Sequence, residues 1–382
     1  MKNIENLTID KSVIKKGARK AQRNEEIACL YLELGEKRRN INLIKKYDTL
    51  LACFKTFDID YYQKQKVKDI KKVYKCHDIF CVNCQSQLAK ERFLKYGPFL
   101  DSLRDYYDIY HVTFTVVDPL GPKLKDTVDL MYKKFPYLIE YFSCKRKIRG
   151  IDFDKFGFVG AIRTLEITSK MTEKGIEYHP HFHDYFLFKK GTKKLITGNK
   201  VHINDFSFSK RSSAIRKFSD FEIFMQKLWY LTYNGDKKIK VTLKALEDLK
   251  QGYSGVVEPV KPGQYHEVFK YVLKGTFKDN VFAEDIDSFR YLYDTLHKRK
   301  IIQGYGIFHN FKFSVDDGEL ERLAAYEETI KSLSSVEDPK AMYEQLDYVM
   351  DSMQRGVRYI SKRRIGPSED KKKKDKKKGK KK

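Results

Sequence analysis

No run of apolar residues in this chain is long enough to cross a bilayer. The opening stretch, MKNIENLTIDKSVIKKGARK, also lacks the apolar core of a secretory signal, so a soluble intracellular protein is expected. Cysteine is sparse, six in 382 residues, and inside a cell such thiols are reduced, metal-bound or buried rather than disulfide-linked. There is one tryptophan and no internal repeat. Acidic residues are in deficit: 52 Asp and Glu face 77 Lys and Arg, for a formal net charge of +25. An excess of that size points to a polyanionic partner, nucleic acid or an acidic membrane surface. The last dozen residues, KKKKDKKKGKKK, hold ten Lys and one Asp, a net +9 that leaves +16 for the rest. The basic character is therefore general and not confined to a tail.

What is present falls into segments of different period. Residues 1 to about 50 space their apolar residues at helical intervals, and a cysteine-bearing segment follows over 53–84. QSQLAKERFLKYGPFLDSLRDYY again reads as helix. The period then shortens to two. IYHVTFTVVD (109–118) is a predicted strand ended by Asp118-Pro119 and a Gly-Pro turn at 121–122. FVGAIRTLEITSK (158–170) is a second strand and HPHFHDYFLF (179–188) a third, joined by MTEKGIEY with Gly175. Residues 218–250 read as helix, GYSGVVEPV as a fourth strand, and YHEVFKYVLKG as a short helix closed by Gly275. From about 316 the chain is helical and charged, and the Lys-rich tail is expected to be disordered.

Four cysteines cluster as Cys53, Cys76, Cys81 and Cys84, the last three spaced C-x4-C-x2-C. Zn²⁺ takes four soft or borderline ligands in a tetrahedron, and a CxxC turn supplies two of them. Three cysteines in nine residues of a Cys-poor chain favour a structural zinc site over scattered small apolar residues. His77 is a possible substitute ligand, though its adjacency to Cys76 makes joint binding awkward.

In the third strand His179, His181 and His183 alternate and so project from one face. The last two flank Phe182, which points to the core, and such a pair can chelate one ion from a rigid platform. In TLEIT on the preceding strand, Leu165 and Ile167 face the core, which turns Glu166 to the histidine side. Two neutral nitrogens and one carboxylate leave a divalent cation net positive, which suits Mg²⁺- or Mn²⁺-assisted chemistry at a phosphodiester. In the helix EVFKYVLK, Val268, Phe269, Val272 and Leu273 form the buried stripe, while Glu267, Lys270, Tyr271 and Lys274 share the other face. A tyrosine set between a carboxylate and two ammonium groups makes sense as a nucleophile.

Taken in order, TFTVVD, LEITSKMTEKGIEYHPHFH, EVFKYVLK and GYGIF resemble the motifs of rolling-circle plasmid replication initiators, within the HUH ("H, hydrophobic, H") endonuclease superfamily. CHDIFCVNC is similar to a cluster that Gram-positive plasmid initiators carry upstream. The resemblance spans roughly residues 50–310. It implies an α+β fold in which an antiparallel, RRM-like sheet packs helices on one face and offers single-stranded or hairpin origin DNA the other. It also implies His181 and His183 as metal ligands, Glu166 or His179 as the third, and Tyr271 as the nucleophile. Glu267 would activate water at termination, Lys270 and Lys274 would contact DNA, and Lys274 would assist the chemistry. Asp184 departs from the pattern, since that position is usually apolar.

The expected organisation is a basic helical segment with a four-cysteine zinc module over 1–95, an endonuclease domain over 96–312, a C-terminal helical region over 313–365 and a disordered tail over 366–382. The implied activity is metal-dependent nicking and joining of origin DNA, with host helicase and replication proteins as partners, no membrane, and the bacterial cytoplasm as location. A relaxase or single-strand transposase keeps the chemistry and changes the biology. A non-catalytic, zinc-containing DNA-binding repressor keeps the DNA and drops the chemistry.

Overall fold

The computed structural model describes residues 11–53, 56–62, 67–73, 75–198, 200, 202, 217–235, 240–250, 252–269, 285–309 and 358–365. The chain divides into two compact units, Met1–Gln87 with Val315–Lys382, and Leu88–Ser314. From the N-terminus the described elements are α1 (Lys11–Lys37), α2 (Ile41–Ala52), β1 (Thr56–Tyr62), β2 (Val67–Val73), α3 (Val82–Ser102), β3 (Tyr107–Thr115), α4 (Gly121–Phe142), β4 (Phe158–Thr172) and β5 (Gly175–Lys189). They continue with α5 (Lys193–Thr197), α6 (Asp220–Asn234), α7 (Leu243–Asp248), β6 (Gly255–Pro259), α8 (His266–Phe269), α9 (Ile286–Leu296), β7 (Ile302–Gly306) and β8 (Arg358–Ile365). No described helix is long and apolar enough to cross a membrane.

In the first unit the basic N-terminal stretch forms two helices. Arg39 takes a positive φ of 49°, and the Asn40 side chain caps α2 by accepting from the N–H groups of Asn42 and Leu43. A three-stranded sheet has the order β2-β1-β8, with β1 antiparallel to β2 and parallel to β8. The sequence reading expects no strand here. Phe57, Ile59 and Tyr61 alternate in β1 and carry the period-two signal that the cysteines beside them obscure. β8 corrects the expectation of helix at the end of 313–365: β-favouring Tyr359, Ile360 and Ile365 in a segment with Arg358, Lys362, Arg363 and Arg364 suit a charged edge strand. The remainder of that region from 313 to 357, and the tail 366–382, lie outside the described residues.

The second unit holds an antiparallel five-stranded sheet of order β6-β3-β5-β4-β7. β4 and β5 are longer than predicted, 15 residues each, because the expected connection is itself paired down to a tight turn before Gly175 (φ +105°). Beyond Ile167 and Pro180 the two strands pair only with each other, apart from a bridge between Leu120 and Glu177. Gly121-Pro122 opens α4 instead of forming a turn, since proline is pre-organised for the first turn of a helix. The predicted helix over 218–250 is two helices, α6 and α7.

Alternation sorts the sheet into two faces. On one, Phe114, Phe182 and Phe186 meet Phe135 and Phe142 of α4 and Trp229 of α6, all buried, with ring centroids 5.2–6.5 Å apart. The Trp229 indole N–H donates to the Thr115 carbonyl at 2.8 Å. The other face is only partly open. Ile109, Ile162, Tyr185, Leu187 and Ile302 cluster with Tyr96 and Leu100 of α3 and with Tyr265, Val268 and Phe269 at α8. The expectation of helices on one face alone is therefore corrected: the apolar half of the second face needs cover, and α3 and α8 provide it. The candidate chemistry lies in the polar half.

Candidate functional site

The candidate ligands in the polar half of that face come from one hairpin. Antiparallel register sets Glu166 directly opposite His181 and Thr164 opposite His183, so the three candidate ligands share a face and neighbour one another. His183 Nε2 lies 2.6 Å and His181 Nε2 3.5 Å from Glu166 Oε2. One donor atom from each residue falls within 4.8 Å of the others. Phe182, Leu165 and Ile167 between them are fully buried on the reverse side and fix the strands in place.

The imidazoles are oriented by second contacts. His181 Nδ1 is 2.9 Å from the His179 carbonyl, which can only accept, so Nδ1 carries a proton and Nε2 is the nitrogen turned to Glu166. His183 Nδ1 is 2.9 Å from His111 Nε2 on β3. Burial alone would raise the Glu166 carboxyl, but hydrogen bonds and charge from His181 and His183 hold it below the usual carboxylate range. Two imidazole nitrogens and one carboxylate oxygen on rigid backbone form a donor set that fits a divalent cation and leaves coordination positions for a substrate. His179 stands apart from this set. Its Nδ1 lies 2.5 Å from Asp118 Oδ1, so of the two candidate third ligands it is Glu166 that converges with the pair.

The four cysteines come together in the first unit. Cys53 Sγ lies 3.5 Å from Cys81 and 3.4 Å from Cys84, and Cys76 Sγ lies 3.7 Å from Cys84. Four sulfurs bound tetrahedrally at ~2.3 Å stand about 3.8 Å apart, so the cluster matches a zinc-sized hole and no pair is a disulfide. The thiols share their hydrogen bonds: those from Cys53, Cys76 and Cys81 pull Cys84 down, while the contacts among the cysteines and burial push Cys53 and Cys76 up, so the cluster behaves as one group. His77, exposed at φ +51°, stands outside the cluster. The loop is clamped by both N-terminal helices. Asn24 accepts from Val82 N–H at 3.0 Å and donates to Cys81 Sγ at 3.4 Å. Buried Asp78 accepts from Tyr31 Oη at 2.9 Å, Phe80 N–H at 2.9 Å and Lys46 Nζ at 2.5 Å.

Of the remaining predicted residues, Glu267 belongs to α8, while Lys270, Tyr271 and Lys274 lie outside the described residues. Tyr265, not expected to act as a nucleophile, is buried; its hydroxyl accepts from Arg104 Nε at 2.6 Å and donates to Asp101, and burial pushes it up to about 12. Sequence reasoning missed His111 and Asp118. His111 alternates with Thr113 and Thr115, the only signal that it shares their face, and nothing in the sequence pairs it with His183. No family model matches the chain, and no curated protein or solved structure matches it.

Proposed function

We propose that the chain is a metal-dependent DNA nicking and joining endonuclease that initiates rolling-circle replication. One observation carries the reading: His181 Nε2, His183 Nε2 and a Glu166 carboxylate oxygen converge on the polar half of a sheet face, in a strongly basic protein. A divalent cation bound there would offset charge developing on a phosphodiester. The protein's part is to hold that donor set on hydrogen-bonded backbone and to bring a nucleophile to it. Thr164, cross-strand from His183, donates its hydroxyl to the Val268 carbonyl at 2.7 Å, which ties α8 to the sheet beside the ligands. Tyr271 follows Val268 by three residues, a span of at most about 11 Å of chain. Attack by its phenolate oxygen would form a 5′-phosphotyrosyl link and release a 3′-OH primer. Because the ester conserves the bond energy, the same site could rejoin ends. Glu267, four residues earlier, would serve as base for water at termination.

The test is capture. Full-length protein with Mn²⁺ and a labelled hairpin oligonucleotide should give a covalent adduct that maps to Tyr271 by mass spectrometry and is absent from Tyr271→Phe. An adduct on another residue, or DNA that binds and is never cut, would overturn the proposal.

A further inference from the structure

His111 sits on β3, one strand away from the hairpin that supplies every candidate ligand. Its Nε2 is 2.9 Å from His183 Nδ1, the ring centroids are 5.1 Å apart and the planes differ by 11°. The centroid separation exceeds the nitrogen–nitrogen distance by one ring radius at each end. The two rings therefore lie edge to edge and nearly coplanar, with the hydrogen bond along the line of centres. That geometry is the best available to a hydrogen bond between imidazoles. It also fixes the His183 ring about χ2, the torsion that decides whether Nε2 points at Glu166.

We propose that His111 is the positioning residue of the cation site, holding His183 in the orientation and tautomer that present Nε2 to the metal. To coordinate through Nε2, His183 must keep its proton on Nδ1, and that N–H needs an acceptor. His111 Nε2 is placed to accept it, with the His111 proton on Nδ1, on the side of the ring away from His183. Glu258 of β6 stands opposite His111 in the register, so the strand on that side brings a carboxylate to the same row. Metal-binding histidines commonly depend on such an outer partner, and its loss costs about 10- to 100-fold in metal affinity. The proposal rests on reading Glu166, His181 and His183 as a cation site.

The experiment is Mn²⁺ titration of the full-length, EDTA-stripped protein by calorimetry. His111→Phe keeps a flat ring and removes the acceptor, and it should weaken Mn²⁺ binding about 10- to 100-fold. His111→Gln restores an acceptor at similar reach and should recover most of that loss. His111→Thr, strand-compatible and smaller, should repeat the loss should the Phe variant fail to fold. Thermal melting in EDTA should be nearly unchanged in each folded variant. His111→Phe binding Mn²⁺ as tightly as the parent would overturn the proposal, and so would His111→Gln losing as much as His111→Phe. A parent that binds no Mn²⁺, or binding indifferent to His181→Ala, would instead overturn the cation site and take this proposal with it.

Discussion

Asp184 follows His183 and points the other way, into the aromatic layer beneath the sheet. It is fully buried, both carboxylate oxygens lack a hydrogen-bond partner, and burial pushes its carboxyl well up, opposed only in part by the charge of Arg163 across the strand pair. Arg163 is committed elsewhere: its guanidinium donates to Tyr305 Oη at 3.0 Å and Gln303 Oε1 at 3.2 Å and lies 4.0 Å from the Tyr132 ring centroid. An unsatisfied buried carboxyl is destabilising, so Asp184→Val, which removes both unpartnered oxygens and suits a strand, should raise thermal stability at neutral pH, by about 1–3 kcal/mol, while leaving metal binding intact. Melts of both proteins in EDTA decide this; a large loss in the variant would show that the carboxylate is ionised and paired. At the site itself, His181→Ala and His183→Ala should abolish nicking and leave duplex binding nearly unchanged, because phosphate contacts supply that affinity. His179→Ala should be milder, and a gel assay that ranks it as the most damaging would refute the donor set. The common face of Glu166, His181 and His183 was readable from alternation alone. The roles of His111 and Asp118 were not, because they depend on contacts to residues 72 and 61 positions away that no local pattern encodes.

Long periodic elements were legible in kind and less so in extent. The β4–β5 pair was predicted, but its connection was read as loop because Thr, Glu, Lys and Gly favour turns; pairing continued through them to the Gly175 turn. Strands β1 and β2 went unread between the cysteines, where the metal motif dominated the interpretation. That motif makes a prediction at the same scale. The Cys loop is fixed to α1 through Asn24 and Tyr31 and to α2 through Lys46, so it is held by both N-terminal helices. Elemental analysis should find about one zinc per chain, retained through an exchange that strips the sheet site. Cys81→Ser should lose that zinc and lower the melting temperature of the first unit, since binding free energy at such sites is folding free energy. Zinc-free protein, with Cys76→Ser, Cys81→Ser and Cys84→Ser all as stable as the parent, would reduce the cluster to packing.

Across the whole molecule the charge is the broadest feature. If +25 reflects a nucleic-acid partner, affinity for origin DNA should fall steeply and linearly in log–log terms with salt. Deleting residues 371–382 removes +9 and should flatten that slope while leaving nicking of the hairpin oligonucleotide intact. Anisotropy titrations from low to moderate salt measure it; an unchanged slope would assign the binding to the remaining +16 alone. The donor set itself has a different character, because Glu166, His181 and His183 all belong to the single hairpin 158–189. Those 32 residues are encoded by one uninterrupted stretch of message of under a hundred bases. A recombination event that moves that stretch moves every ligand in register, and the segments that choose a target can be exchanged around it. Inheritance would then treat the metal ligands as one heritable cassette, while His111 and the segment that carries Glu267 and Tyr271 would have to come from its surroundings.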